Sequence, residues 1–152
     1  MKNFIFAFIL LALLLTVNAA PFQYNKKAIT FQPCPYPGDF LNVKIGTNPP
    51  ESEKSESFNV SGKLTKNDII KNQTILEILY NTPDGTILGN DYVQTFNDSI
   101  KAGTQFTISA LDVPTPKLPD IYLIGVNVGE KTNDPQNSLI YYACAYAFVS
   151  DF

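Results

Sequence analysis

Along the chain, apolar residues recur at every second position in short runs that clusters of Pro, Gly, Asn and Asp interrupt. That is the pattern of half-buried strands joined by turns. Eight runs are predicted as strands, over residues 28–31, 40–45, 58–64, 74–80, 92–96, 105–111, 121–128 and 139–149. In the third, Phe58, Val60 and Leu64 alternate with Asn59, Ser61 and Lys63, so one face is expected to be buried and the other wet. In the fourth, Leu76, Ile78 and Tyr80 share a side and Glu77 takes the other. Pro83, Asp84 and Gly85 predict a turn: Pro presets its φ, Asp caps locally and Gly tolerates positive φ. The prolines at 114, 116 and 119 remove ladder donors, so that stretch is expected to be an extended connection or a sheet edge. Between residues 65 and 79 a short helix is an alternative to strand, through Asp68-Ile69-Ile70 and Ile75-Leu76. The expected class is all-β, an antiparallel sandwich or barrel of about seven to nine strands.

One segment breaks the alternation. Lys2 precedes an unbroken apolar stretch from residue 4 to residue 15, and small residues follow at Ala19 and Ala20. The stretch is shorter than the roughly 20 apolar residues of a spanning helix, so residues 1–19 are expected to be a signal peptide cleaved after Ala19. Residues 20–152 then form one domain, secreted or luminal, in a vacuole- or endolysosome-like compartment. Loss of Lys2 takes the formal charge from −3 to −4. An oxidising compartment also bears on Cys34 and Cys144, the only two cysteines. An isolated pair there is most simply one disulfide, with two unpaired buried thiols as the alternative. Three sequons, at Asn59, Asn72 and Asn97, become glycosylation candidates, with Asn59 the doubtful one because it sits inside a strand-like run.

Composition removes several chemistries. With no His in 152 residues, the chain cannot supply a Ser-His-Asp or Cys-His nucleophile system, a His-ligated zinc site or a His proton shuttle. All eleven basic residues are Lys, scattered and outnumbered by fourteen acids, so nucleic acid is not an expected partner. Asp84, Asp91, Asp98, Asp120 and Asp134 all lie in turn-like contexts, and no two acids stand out as a hydrolytic pair. No calcium loop, phosphate cradle or Cys-x-x-Cys is present. No catalytic residues, metal or cofactor are expected. The aromatic residues, 12% of the chain, concentrate instead in the predicted strands, where periodicity alone does not say whether the space between two sheets is filled or hollow.

From Phe31-Gln32-Pro33-Cys34-Pro35 onward the chain resembles the MD-2-related lipid-recognition (ML) family. The nearest likeness is to its fungal phosphatidylglycerol/phosphatidylinositol transfer proteins and Niemann-Pick C2-like sterol carriers. The other matching pieces are Phe58-Asn59-Val60-Ser61-Gly62-Lys63-Leu64-Thr65, the run from Pro114 through Tyr122 into Leu123-Ile124-Gly125-Val126-Asn127-Val128, and Tyr142-Ala143-Cys144-Ala145-Tyr146-Ala147-Phe148. The resemblance implies an immunoglobulin-like β-sandwich whose sheets part to hold an apolar ligand, with a bridge between first and last strands that falls on Cys34 and Cys144. Many members carry further cysteines in mid-domain; residues 80–106 here have none.

Under that resemblance the protein is expected to be a non-enzymatic, monomeric lipid carrier that holds one phospholipid or sterol and touches membrane surfaces transiently. Strand parity assigns Phe58, Val60, Leu76, Ile78, Phe106, Ile108, Tyr122, Ile124, Tyr146 and Phe148 to inward faces lining a lipid cavity. A one-residue slip would invert any of these sets. Lys101 or Lys117 is a candidate to meet a lipid phosphate at the mouth. The alternatives are a secreted recognition or adhesion domain with a filled core, and a carboxylate-based hydrolase.

Overall fold

Eight strands account for the regular structure of the computed structural model, which describes residues 28–134 and 137–150. They are β1 (Gln32–Pro33), β2 (Asp39–Ile45), β3 (Ser55–Lys63), β4 (Thr74–Asn81), β5 (Ile87–Thr95), β6 (Gln105–Pro114), β7 (Ile121–Asp134) and β8 (Asn137–Ser150). No helix occurs among the described residues. The leader expected at residues 1–19 lies outside them.

The strands run in the order β5-β4-β7-β8-β2-β3-β6, with β1 added beside β8. This is an all-β sandwich made by one strand that changes sheets. Asp39 and Phe40 of β2 pair in parallel with Ala143 and Cys144 of β8, whereas residues 41–45 pair antiparallel with β3. β2 therefore forms the corner between sheet A (β5-β4-β7-β8, with β1) and sheet B (β2-β3-β6). The parallel β2/β8 segment departs from the all-antiparallel expectation; it arises because β1 and the start of β2 both line up on the free edge of β8.

Alternation then sorts side chains between core and solvent. From sheet B, Leu41, Phe58, Val60, Phe106 and Ala110 are buried; from sheet A, Leu76, Ile78, Tyr80, Tyr122, Ile124, Val126 and Val128 meet them in one apolar cluster. Phe96 and Phe106 contact edge to face, with ring centroids 5.7 Å apart, a preferred aromatic geometry. Eight of the ten residues assigned inward by parity are in or packed against this cluster.

Tyr146 and Phe148 are the exceptions. Tyr122 and Ile124 pair with Val149 and Ala147 of β8, so the inward face of that strand is Ala143, Ala145, Ala147 and Val149. Phe148 is 54% exposed, and Tyr146 lies with it on the outer face. Strand parity put them inside, but the interior already holds Phe58, Phe96 and Phe106. Alanines opposite such bulk satisfy close packing.

Other departures have local causes. β5 begins five residues before its predicted start because it carries a bulge: the register shifts between Ile78 and Tyr80 of β4. Gly89 within it has φ +72°, and a Cβ there would approach Pro116 to 3.1 Å, so glycine is required twice over. Asp91 accordingly lies in a strand rather than a turn. Residues 28–31 form no strand. Residues 65–73 form turns with an isolated bridge between Ile69 and Ile100, in place of the helix that pattern allowed. Pro114 closes β6, which is an edge strand as prolines require.

Cys34 and Cys144 are disulfide-bonded, with Cα atoms 5.7 Å apart and 110 residues between them in sequence. The bridge ties the start of the described chain to β8 beside the β1 pairing.

Candidate functional site

Three features of this sandwich bear on function: the layer between the sheets, the seam where the sheets diverge, and a groove on the outer face of sheet A. The inter-sheet layer is apolar and closely filled. Tyr80 supplies one polar tip there: its hydroxyl lies 3.4 Å from that of Thr115, also buried, and burial raises the phenol pKa above its ordinary value. Nearby, the Tyr80 and Tyr122 rings lie tilted, with centroids 6.4 Å apart.

The seam follows from the corner made by β2. Beyond Phe40 the strand leaves β8, and residues 28–31 continue on the other side of the gap. Ile29 and Phe31 from this segment, with Val43 and Ile45 from β2, are partly buried against the core and line a cleft of about 520 Å³. Phe40, 47% exposed, and the solvated Lys44 stand at its rim. Asn48 closes one end by clasping Ile29: the Ile29 N–H donates to Asn48 Oδ1 at 2.7 Å, and Asn48 Nδ2 donates to the Ile29 carbonyl at 3.2 Å. Residues 28–31 thereby become a strap across the cleft. None of the four cleft residues Ile29, Phe31, Val43 and Ile45 was assigned to a site from sequence. The period-2 pattern over 40–45 carried a signal for two of them.

The outer groove occupies about 470 Å³ on sheet A. Gly125 forms its floor, between its cross-strand neighbours Leu79 of β4 and Tyr146 of β8. Leu123 and Asn81 stand one row along. Tyr36 and Tyr141, with ring centroids 6.2 Å apart, make the other wall beside the disulfide. No lining residue carries a charge. Asn127 at the border is engaged, donating to Glu77 Oε2 at 2.9 Å. The amide oxygen of Asn81, by contrast, is buried and lacks a hydrogen-bond partner.

The carboxylates serve local structure. Buried Glu56 accepts from the backbone N–H groups of Thr47 at 3.0 Å and Ser57 at 2.7 Å. Glu77 is half-buried on β4, and desolvation raises its pKa against the opposing hydrogen bond from Asn127. Glu56 lies on β3 of sheet B and Glu77 on β4 of sheet A. Among the described residues, no cluster of three His, Cys, Asp or Glu side chains could hold a metal ion. Lys101 binds Asp68 at 2.7 Å beside the 68–70 turn, while Lys117 is exposed and stands in none of the three features. The sequon residues Asn59, Asn72 and Asn97 are all exposed. Asn59 lies on the wet face of β3, and its amide donates to Ser109 Oγ at 3.1 Å.

Comparison with models of known families and with curated proteins finds no match.

Proposed function

We propose that this protein is a non-enzymatic carrier of a single phospholipid or sterol, acting in a secretory or luminal compartment. The observation that carries this reading is the seam. Beside the apolar layer between the two sheets lies a cleft where Ile29, Phe31, Val43 and Ile45 pack against the core, in a lining that also includes Thr30, Asn42, Lys44 and Asn48. Away from the β2 corner the two sheets meet through side chains, and the terminal strands β5 and β6 are not hydrogen-bonded to each other. Parting them to admit an acyl chain or a fused-ring body exchanges apolar contacts for apolar contacts. Each methylene withdrawn from water contributes roughly 0.8 kcal/mol, so such cargo needs no ionic partner. Phe40 at the rim is suited to enter a bilayer interface while Lys44 beside it meets lipid phosphates.

A second reading is favoured by the close filling of the interior: a secreted recognition or adhesion domain without cargo. Native mass spectrometry and organic extraction of the purified protein separate the two. One lipid per chain supports the carrier. A protein that is consistently empty, and excludes fluorescent sterol and phospholipid probes, defeats it.

A further inference from the structure

We propose that the outer groove of sheet A is a binding site for a neutral saccharide. Outer faces of sandwich sheets ordinarily alternate toward polar side chains. Here three tyrosines, Tyr36, Tyr141 and Tyr146, line one concavity together with Leu79 and Leu123. Tyr36 and Tyr141 are half-exposed, and an exposed aromatic surface of this kind marks an interaction site.

Three observations select the occupant. First, each tyrosine offers a flat ring and, at its tip, a hydroxyl that both donates and accepts. Tyr36 Oη has only a weak contact, 4.0 Å from Cys144 Sγ, and the Tyr141 and Tyr146 hydroxyls have no hydrogen-bond partner among the described residues. A saccharide matches this duality, because its ring carbons present C–H faces to aromatic rings while its hydroxyls project around the edge. A wholly apolar body would desolvate the phenols and give them nothing in return. Second, no lining residue is charged, and the nearest carboxylate, Glu77, stands at the border holding Asn127. An anionic sugar would find no cation there and would be repelled by Glu77. Third, the floor is mid-sheet. Leu79, Gly125 and Tyr146 lie on β4, β7 and β8, which are paired with one another and flanked by β5 and β1. A peptide that binds by adding a strand needs an open edge, and this floor has none. It offers a rigid surface roughly 10 Å across at the usual inter-strand spacing, and the disulfide holds the Tyr36 segment beside it. Rings fixed before binding lose little freedom on binding, and the volume falls within the roughly 300–1,000 Å³ of small-molecule sites.

The groove lies on the opposite side of sheet A from the interior, and its occupancy does not depend on the carrier reading. The test is calorimetric titration of the purified protein with the hexaoses of β-1,3-glucose, β-1,4-glucose, α-1,6-mannose and β-1,4-N-acetylglucosamine. Hexagalacturonate serves as the anionic control and decaproline as the control for a peptide that docks on aromatic rings. At least one neutral hexaose should bind with a Kd of about 1 mM or tighter, and neither control should. Tyr141→Phe and Tyr146→Phe keep the rings, and each should weaken that sugar about fivefold through a lost hydrogen bond. Tyr36→Ala, at a half-exposed position, should weaken it about tenfold through lost stacking. Lys44→Ala, in the seam, should leave it unchanged. A wild type that binds none of the four hexaoses overturns the proposal, and so does tighter binding of hexagalacturonate or decaproline than of any of them. Full affinity in Tyr36→Ala, or in both phenylalanine variants, overturns it equally. Sugar binding lost in Lys44→Ala but kept in Tyr36→Ala would place the sugar in the seam and also overturn it. None of these outcomes bears on whether lipid is extracted from the protein, so the carrier reading stands or falls separately.

Discussion

Asn48 holds Ile29 by both halves of its peptide backbone, accepting from the N–H at 2.7 Å and donating to the carbonyl at 3.2 Å. A side chain 19 residues downstream thus does for the strap what a neighbouring strand would otherwise do. Asn48→Ala should cost about 1 kcal/mol or more, from two lost hydrogen bonds at a partly exposed site. It should also accelerate exchange of a bound fluorescent lipid, measured by stopped-flow transfer to vesicles. Unchanged exchange in a folded variant would show that the strap does not control the seam.

The two phenylalanines that parity put together separate in energetic terms. Phe106 is buried against Phe96, and Phe106→Ala should cost about 3–5 kcal/mol, while Phe106→Asp should prevent folding. Phe148→Asp should fold with a change of about 0.5 kcal/mol or less. Urea denaturation of the three variants checks this, and a Phe148→Asp protein as damaged as Phe106→Asp would place Phe148 in the core.

The disulfide closes a loop of 110 residues, for which the chain-entropy model gives on the order of 4–5 kcal/mol. The Cys34→Ser, Cys144→Ala double variant should therefore melt at least about 10 °C lower than wild type. Calorimetry with and without reductant is the measurement, and coincident transitions would refute the bridge as a stabilising element.

Glu77 gives a pH signature. Burial raises its pKa in the folded state, so the folded chain binds this proton more tightly than the unfolded one. The associated stability is complete below the ordinary carboxylate pKa and is lost as pH rises through the raised value. Glu77→Gln removes the desolvated charge and keeps an acceptor for Asn127. It should raise stability at neutral pH by a few tenths to about 1 kcal/mol after solvent screening, with the gain vanishing below about pH 4. A gain of equal size at acidic and neutral pH would mean that the carboxylate charge is not its source.

Local alternation was enough to establish that the chain is all-β and which face of most strands is buried. Alternation in β3 and β4 is a local property: a polar residue turned inward would lose its hydration, so Phe58/Val60 and Leu76/Ile78 settle the matter without reference to neighbours. The Pro83-Asp84-Gly85 turn is equally local. Gly85 has φ +88°, and Asp84 accepts from Thr82 and Thr86, which lowers its pKa. In β8 this logic had no purchase, because Ala143, Ala145 and Ala147 alternate with Cys144, Tyr146 and Phe148 and both faces are apolar. Register against β7, and the space left by Phe58, Phe96 and Phe106, decided which set went in. Neither cleft could be assembled from the sequence, although alternation over 40–45 marked Val43 and Ile45. The seam needs β2 to leave one sheet for the other, and the outer groove needs Leu79, Gly125 and Tyr146, distant along the chain, to become adjacent. Hydrophobic pattern constrains each strand separately, whereas a site is a relation between strands, and only tertiary pairing sets that relation.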